Sequence, residues 1–238
     1  MDNAIYSALT RQSGLMQEMR AVANNISNIS TTGFRREGVI FSEYVSGLGG
    51  EEPSLSMGFA HGRHIDLAQG PLNQTGGTFD FAIEGQGFFM IETPQGPQLT
   101  RAGSFTPSPE GELVTPDGYR LLDQGGGPIF VPTGAGPVSL AQDGTLSANG
   151  TPIAQIGMFM PADPNDLKHV GGTRFSAEGG AVPVETATIL QGYVEESNVD
   201  PVSEIARMIE VQRAYEMGQT FLDREDQRIR SVISTLVK

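Results

Sequence analysis

The chain has 238 residues, no cysteine, no tryptophan and a formal net charge of −13. Without cysteine it has no disulfide framework, no thiolate metal site and no cysteine nucleophile. A strongly acidic surface repels phosphate backbones and anionic lipids, so the composition argues against nucleic acid or a membrane surface as a partner.

Charge and turn-forming residues are distributed unevenly along the chain. Residues 1–50 hold four acidic and four basic residues, whereas residues 51–197 hold seventeen acidic and five basic ones. Fourteen of the fifteen prolines also lie in this middle segment. The two ends are therefore electrically balanced and permissive for helices, and they flank an acidic, turn-rich centre.

The first residues, Met1-Asp2-Asn3-Ala4, lack the basic leader and the apolar block of a secretory signal peptide. No apolar run in the chain reaches the roughly 18 residues that a membrane-spanning helix needs. We therefore expect a protein with no membrane insertion that leaves the cytoplasm, if at all, without a cleaved signal.

Apolar residues recur at helical spacing from about Ile5 to Ile29. One stripe is interrupted by Gln12, and a second line repeats at intervals of seven. Gly14 weakens this helix by about 1 kcal/mol relative to alanine, which favours a packing partner. The helix is predicted to end at Ser30–Gly33, where Gly33 can adopt a left-handed conformation. The first stripe contains Ile5, Leu9, Met16, Met19, Ala23 and Ile26, and the second line contains Ala8, Leu15, Val22 and Ile29.

The centre alternates short apolar stretches with turn signals, which predicts β-structure. The dipeptides Asp117-Gly118, Asp143-Gly144 and Asn149-Gly150 favour tight hairpins because their second residue tolerates a positive φ. Residues 34–75 are predicted to form an extended arm or linker, since Ser46–Gly62 is polar and glycine-rich. Residues 76–197 are predicted to form a β-rich domain.

A second long helix is predicted to follow Asp200-Pro201, a capping residue followed by a proline at a tolerated position. Its length would be about 50 Å at 1.5 Å per residue, more than a compact domain of this size requires. One line of residues seven apart is entirely apolar, and a companion line has a polar centre. The apolar line is Met208, Tyr215, Leu222, Ile229 and Leu236, and the companion line is Ile205, Gln212, Gln219, Asp226 and Ile233.

The search for catalytic or metal-binding groups finds no convincing candidate. His61 and His64 lie three residues apart without supporting ligands, and the Gly85–Gly87 segment lacks the third glycine of a dinucleotide fingerprint. Paired carboxylates such as Glu195-Glu196 are expected to be solvated surface groups. The sequence therefore predicts no catalytic residue, no cofactor and no metal.

The simplest arrangement is an α+β fold in which the two terminal helices pair as a coiled coil, apart from the β-rich centre. Two paired helices leave other apolar positions exposed, and large exposed apolar surfaces indicate a partner. Repeated copies of the same subunit would supply one, because non-closing contacts build a helical filament. The predicted assembly interface comprises Ile5, Leu9, Met16, Met19, Ala23, Ile26, Ile205, Met208, Tyr215, Leu222, Ile229 and Leu236.

Three stretches of the sequence resemble the flagellar rod and hook protein family. They are Val22–Phe34, the central run Phe81–Phe89 with Thr100–Phe105 and Asp117–Tyr119, and the C-terminal run Asn198–Val199 with Met208–Glu216. The resemblance covers both ends and the middle in the same order. The residues that map onto the N-terminal motif are Asn24, Asn25, Asn28, Thr31, Thr32, Gly33 and Phe34.

The resemblance implies a structural subunit of the basal-body rod, the hollow axial shaft that links the motor to the hook across the periplasm. It implies that residues 1–33 and 198–238 form the axial core and that residues 76–197 form an outer domain. Expected partners are copies of the same chain, other proximal and distal rod proteins, and the flagellar type III export apparatus. The motif residues are expected to have a structural role, with amides and hydroxyls bound to backbone groups.

Three alternative interpretations stay open at this point. A distal rod or hook-type protein of the same family would share all three stretches. A β-rich secreted enzyme with a helical oligomerisation stalk would require polar residues converging in one pocket, with Glu84, Glu110 and His169 as candidates. An adhesin or chaperone-like binder would use the heptads as a stalk.

Overall fold

The terminal segments are helical and the centre is β-rich, so the predicted α+β class is confirmed. A computed structural model describes residues 2–46, 55–132, 134, 136–184 and 187–236. Helix α1 spans Asp2–Ser27 and helix α2 spans Pro201–Leu236. Both lie within about three residues of their predicted bounds, because periodicity and capping residues are local signals.

Eighteen strands lie between the two helices in the described part of the chain, together with a single 3₁₀ turn at Pro164–Asp166. In chain order they are β1 (Glu37–Ser46), β2 (Leu55–Ile65), β3 (Leu72–Gln74), β4 (Phe81–Glu84), β5 (Phe89–Thr93), β6 (Gly96–Thr100), β7 (Thr106–Pro107), β8 (Leu113–Val114), β9 (Arg120–Leu121), β10 (Val138–Leu140), β11 (Thr145–Ala148), β12 (Thr151–Gln155), β13 (Phe159–Pro161), β14 (Leu167–Gly171), β15 (Arg174–Ala177), β16 (Ala181–Pro183), β17 (Thr188–Gln191) and β18 (Tyr193–Glu195).

The chain divides into two compact units. A helical unit combines α1, α2 and residues 37–64, and a β-rich unit combines residues 28–36 with 65–199. The predicted boundaries were different, since residues 34–75 were assigned to one arm or linker. Residues 37–46 pair with residues 55–65 as the two-stranded sheet of β1 and β2, and residues 47–54 lie outside the described range.

Strand β2 differs from the predicted loop at Ser46–Gly62. Leu55, Met57 and Phe59 alternate with small or polar residues, which is the period-two pattern of a strand. The glycines Gly58 and Gly62 and the polar residues of this segment masked that pattern. Composition therefore favoured a loop where pairing with β1 stabilises an extended strand.

The β-rich unit is organised around a seven-stranded sheet with the order β14-β15-β6-β5-β9-β8-β7. Its neighbouring strands pair antiparallel, and Ile91 of β5 lies opposite Leu121 of β9. The main core is a cluster of buried apolar side chains in which Phe89 and Ile91 of β5 and Leu113 of β8 are fully buried. A second cluster surrounds Phe175. Apolar stretches separated by turns thus fold as predicted.

All three predicted hairpin dipeptides lie in turns. Gly118 connects β8 to β9 with a φ of 85°, and Gly144 precedes β11 with a φ of 86°. Asn149 and Gly150 both have positive φ values, 51° and 75°, between β11 and β12. Two successive left-handed residues are the requirement of a type I′ hairpin, which explains the asparagine–glycine pair.

The start of α2 matches its predicted cap. The carboxylate of Asp200 accepts a hydrogen bond from the backbone N–H of Ser203 at 2.7 Å and another from the Ser203 hydroxyl. These bonds, from the side chain first, lower the pKa of Asp200 below its ordinary value. A negative charge at this helix end also interacts favourably with the helix dipole.

We predict that the Asp200 cap weakens at acidic pH. A lowered folded pKa means that its stabilisation is present above the ordinary value of 3.8 and is lost as the pH falls through the folded pKa. Circular dichroism at 222 nm should show greater helicity in the parent chain than in Asp200→Asn at neutral pH. The two curves should converge in strong acid, and a constant difference across the pH range would contradict the assignment.

Candidate functional site

The two helices contact each other in antiparallel order. Asn25 Nδ2 donates to Glu204 Oε2 at 3.1 Å, Glu18 Oε1 accepts from Arg207 Nε at 2.6 Å, and Gln12 Nε2 donates to the Tyr215 carbonyl at 2.8 Å. Later residues of α1 thus meet earlier residues of α2. We call this helix–helix contact the seam.

On α2, the side chains that face the seam follow a spacing of three and four residues. The predicted apolar line is only partly in the seam, because Met208, Tyr215 and Leu222 are half-buried whereas Ile229 is exposed. The companion line observed in the seam is not the predicted one, because Ile205 and Ile233 of the predicted line are more than half exposed. The observed companions are Glu204 and Val211, which are buried, and Gly218 and Glu225, which are half-buried.

The predicted companion line lies one position after the observed one, because it was placed on the apolar Ile205 and Ile233 at its two ends. Glu204 is 1% exposed, and its neighbours at the seam include a charged residue and a glycine. Apolar Ile205 scored better in a period-seven pattern than Glu204 did. A carboxylate that is buried with a hydrogen-bond partner does not contribute to an apolar periodicity, so the sequence pattern does not reveal it.

On α1, no residue of the predicted stripe is buried within the single chain. Leu9 is 50% exposed, Ala23 is exposed, and Ile5, Met16, Met19 and Ile26 are half-buried. We call these six residues the α1 stripe. The buried positions of α1 lie on other faces and are Gln12, Gly14, Leu15, Glu18, Ala21, Val22 and Asn25.

The glycines in the helices lie at close contacts. A Cβ on Gly14 would lie 2.7 Å from the ring of Phe41 on β1, and a Cβ on Gly218 would lie 2.3 Å from Gln12 Nε2. The predicted need of Gly14 for a packing partner is thus met by a strand. Beside Gly218, the helices form a groove of about 470 Å³ lined by Ser7, Ala8, Arg11, Gln12, Leu15, Ala214, Met217, Gly218 and Phe221.

Helix α2 extends beyond α1. At the spacing of the three seam contacts, the first residues of α1 lie opposite about residue 225, and every described residue from 226 onward is exposed. We call residues 226–236 the C-terminal overhang. Its apolar side chains are Ile229, Val232, Ile233 and Leu236, with Leu236 80% exposed.

Asn25 connects three elements of the helical unit. Its amide donates to the Glu37 carbonyl at 2.8 Å and accepts from the Glu37 N–H at 2.9 Å, in addition to its bond with Glu204. Glu37 itself forms an ion pair with Arg63 at 3.2 Å. A completely buried side-chain amide therefore joins α1, β1 and α2. Asn24, its neighbour, is half-buried, and its carbonyl accepts from the Ser27 hydroxyl.

The remaining motif residues belong to the β-rich unit. Thr31 Oγ1 donates to Asn28 Oδ1 at 3.1 Å, and Thr32 is half-buried. Gly33 has a φ of 72°, as predicted for a left-handed residue, but it lies six residues beyond the end of α1 rather than at its cap. The Phe34 ring is buried and stacks on His169 at a centroid distance of 5.2 Å.

A buried ionic cluster lies in the β-rich unit. Glu195 accepts from Arg35 Nη1 at 2.8 Å and from Arg101 Nε at 2.7 Å, and all three side chains are at most 3% exposed. Arg101 also donates to the carbonyls of Ile83, Gly85 and Gly87 at 3.2, 3.0 and 2.6 Å. These bonds replace the water that the guanidinium loses on burial.

The prediction that Glu195 is a solvated surface group is wrong, because its two arginines come from distant parts of the sequence. Burial lowers the pKa of Arg101 to about 10, although the charge of Glu195 partly counteracts this effect. Burial likewise lowers the pKa of Arg35. At neutral pH both guanidinium groups remain charged, so Glu195 is the acidic counter-charge of two buried cations.

Candidate catalytic groups do not converge among the described residues. Glu84 and Glu110 are exposed, and His169 lies between the rings of Phe34 and Phe175. Within the described ranges, no three His, Asp or Glu side chains are arranged to hold a metal ion, and no helix is long and apolar enough to cross a membrane. His64 is exposed, and the His61 side chain lies outside the described part.

Comparisons with known proteins connect this geometry to a family. Three family models match the chain: "Flagella basal body rod protein" at residues 5–35, "Flagellar hook protein FlgE/F/G D1 domain" at 82–148, and "Flagellar basal body rod FlgEFG protein C-terminal" at 190–235. The FlgF protein of Caulobacter vibrioides is 39% identical over 100% of this chain and 99% of its own length. The chain belongs to the flagellar basal-body rod protein family.

Further relatives in this family refine the comparison. FlgF of Mesorhizobium japonicum is 37% identical over 91% of this chain and 90% of its own length, and FlgG of Bacillus subtilis is 30% identical over 98% of this chain and 99% of its own. Within the family, the opening Met1–Tyr6 and the short chain by themselves predict a similarity to FlgF. The predicted similarity to FlgF is confirmed, and the family is structural rather than enzymatic.

Sequence reasoning missed the polar residues that hold this rod-family chain together. In the sequence, Gln12 looks like a polar interruption of an apolar stripe. Arg101 belongs to the family stretch Thr100–Phe105, but the sequence indicates no role for it. Arg35 and Glu195 are 160 positions apart in the sequence. The only local signal was a set of charged residues next to glycine-rich turns, which is too common to identify a buried cluster.

We predict that Gly33→Ala destabilises the chain more than Gly76→Ala. Both glycines have a φ near 71–72°, but a Cβ on Gly33 would lie 2.2 Å from the Ala102 nitrogen, whereas Gly76 has no atom within 4 Å of that position. The left-handed conformation costs about 1–2 kcal/mol in each variant, and the backbone clash adds roughly 1–3 kcal/mol for Gly33. Urea unfolding of the two full-length variants measures the difference. Equal losses would show that the backbone at Gly33 adjusts without strain.

We also predict a large cost for Glu195→Gln, which removes the counter-charge of two buried arginines while preserving the side-chain shape. Loss of one partner from a buried ionic cluster costs about 3–5 kcal/mol. The matched control is Glu92→Gln, whose ion pair with Arg120 is about half exposed on both sides and should cost less than about 1 kcal/mol. Chemical unfolding of both full-length variants provides the comparison, and similar losses would refute a special role for the cluster.

Proposed function

We propose that this chain is a structural subunit that polymerises with copies of itself and with other rod proteins into the hollow axial shaft of the flagellar basal body. The main supporting observation is that no residue of the α1 stripe is buried in the single chain and that the four apolar side chains of the C-terminal overhang are exposed. Exposed apolar surface of this extent on long helices favours a protein partner.

The proposed arrangement pairs α1 and α2 as a coiled coil in the axial core, corresponding to residues 1–33 and 198–238 of the predicted division. The seam accounts for Met208, Tyr215 and Leu222 of the predicted interface. The exposed positions Leu9, Ile205, Ile229 and Leu236, with the half-buried Ile5, are then available to neighbouring subunits. Contacts of this kind do not close on themselves, so repetition produces a helical tube.

The membership in the rod family extends the proposal to location and route. We place the subunit in the rod segment that crosses the periplasm, reached through the flagellar type III export apparatus without a cleaved signal peptide. The absence of cysteine is consistent with a chain that crosses compartments without relying on disulfides. We assign the subunit first to a FlgF-like position in the proximal rod. A distal rod position is the second, supported by the relatives named FlgG.

We predict that a charge on either uncovered surface prevents incorporation into the rod. Leu9→Asp and Leu236→Asp should each reduce incorporated subunit by more than about tenfold, because a carboxylate would be desolvated in an apolar contact. The matched controls are Gln17→Asp and Gln227→Asp, which place the same charge on exposed polar positions of the same helices, apart from the residues of the α1 stripe and the four apolar side chains of the overhang.

The measurement combines swimming of a strain that lacks its own copy with quantification of the subunit in purified basal bodies. Thermal unfolding of each full-length variant establishes that the β-rich unit is still folded. If Leu9→Asp and Leu236→Asp assemble as well as the two glutamine controls, the uncovered surfaces are not subunit contacts and the proposal loses its main support.

A further inference from the structure

We propose that three buried polar side chains of α1 fix the axial register of α2. Gln12, Glu18 and Asn25 are 9%, 8% and 0% exposed and lie about two helical turns apart along the seam. Each contacts a different group on α2, respectively the Tyr215 carbonyl, the Arg207 guanidinium and the Glu204 carboxylate. We refer to these three side chains as the register residues.

The apolar residues of the seam do not define a register by themselves. Met208, Tyr215, Leu222 and Ile229 repeat every seven residues, and Ala8, Leu15 and Val22 repeat every seven on α1. A slip of α2 by one heptad therefore replaces most contacts along these two lines with other apolar contacts. Such repeats tolerate alternative alignments unless polar residues discriminate between them.

Asn25 and Glu18 lose their observed side-chain partners in a slipped alignment, whereas the backbone carbonyl that Gln12 contacts recurs along α2. If α2 moves by seven residues in one direction, Asn25 faces Val211 instead of Glu204 and Glu18 faces Ala214 instead of Arg207. If it moves in the other direction, Glu18 faces Asp200, a residue of the same charge. A buried polar group without a partner is strongly unfavourable, so the observed alignment is selected.

Gly218 provides a steric complement to Gln12. A Cβ on residue 218 would lie 2.3 Å from Gln12 Nε2, so in the observed conformation the amide packs directly against a glycine. After a slip of one heptad, Val211 or Glu225 would replace Gly218 at that place. The Gln12 amide and Gly218 therefore match in one alignment only.

The polar seam carries a cost in stability. Gln12 Oε1 has no hydrogen-bond partner among the described residues, and Val211 is the one buried apolar side chain on the described part of α2. The ion pair offsets part of this cost, since burial lowers the pKa of Arg207 but the hydrogen bonds and charges of Glu18 and Glu210 outweigh it and raise that pKa. Leucine at these positions would strengthen the contact while removing its discrimination.

Register determines where the overhang ends relative to the α1 stripe. A slip of one heptad would displace the overhang along α1 by about 10 Å, since each residue rises 1.5 Å. This consequence for assembly rests on the proposed function, in which both surfaces contact neighbouring subunits. The alignment of the two helices within one chain does not depend on it.

The first experiment measures the register directly in the full-length chain. The chain has no native cysteine, so Gln17→Cys and Thr220→Cys, both at exposed positions, can carry two spin labels without background. Double electron–electron resonance should give one narrow distance in this reference. Adding Gln12→Leu with Glu18→Leu should produce a second population displaced by about 10 Å, while helicity at 222 nm stays at least as high.

The control introduces the same number of leucines elsewhere, as Gln212→Leu with Gln219→Leu on the exposed face of α2. It should keep the single reference distance. A broad distribution in the reference would overturn the proposal, as would an unshifted distance in the Gln12/Glu18 variant. Loss of helicity without a second distance would show that these residues only stabilise the pair.

A charge exchange tests the pair of Glu18 and Arg207 in the same assay. Glu18→Arg places two cations across the seam and Arg207→Glu places two anions, so each should broaden or shift the distance. The double exchange should restore the narrow reference distance, because the ion pair is re-formed with reversed sign. Failure of the double exchange to restore it would count against a register role for this pair.

The second experiment connects register to assembly. The Gln12/Glu18 leucine variant should fall to less than half of the parent's incorporation into basal bodies, whereas the Gln212/Gln219 control should match the parent. A shifted register with normal incorporation would refute the link to assembly. If the unmodified chain itself fails to restore swimming, the proposed function fails while the distance measurement still decides the register.

Discussion

The side-chain amide of Asn25 forms two hydrogen bonds with the Glu37 backbone and one with the Glu204 carboxylate. The first two repeat the pattern by which a strand pairs with its neighbour, and the third reaches the first turn of α2. Replacement of this amide by an apolar side chain would leave a buried carboxylate and two buried backbone groups short of partners. The alignment of both helices with the β1–β2 sheet therefore depends on a residue that sequence patterns describe only as polar.

In the β-rich unit, too, a buried polar side chain connects distant parts of the chain, but here the side chain is charged. Glu195, at the end of β18, is bonded to Arg35 from the N-terminal part of this unit and to Arg101 from its centre. Backbone carbonyls of Gly85 and Gly87 complete the surroundings of Arg101. The glycine-rich run that lacks a dinucleotide fingerprint thus has a structural explanation, because its tight turn directs carbonyl oxygens at a buried guanidinium.

Features set by neighbouring residues were accessible from the sequence, and features set by distant residues were not. The bounds of α1 and α2, the Asp200 cap and the hairpin at Asn149-Gly150 depend on contacts within a few positions, and each follows the predicted pattern. The companion line of the seam and the burial of Glu195 depend on partners far along the chain. Charged residues in those positions carry no periodic signal, so composition assigned them to the surface. Strand β2 was missed for a related reason, since its stability comes from pairing with β1 rather than from its own residues.

The two stripes on α1 show why an apolar pattern alone cannot identify the partner of a helix. Leu15 and Val22 of one line are buried within the chain, whereas no residue of the α1 stripe is, although the stripe is the longer of the two. Polar residues make the difference, because Gln12, Glu18 and Asn25 have specific partners on α2 and therefore turn that face inward. An apolar stripe has no comparable preference for one surface over another, so it remains available to a second chain. The contact between the two helices is therefore selective for one alignment, whereas the outward apolar surface can pack against another chain without such selectivity. A subunit that must fold in one alignment before it joins others needs both kinds of surface.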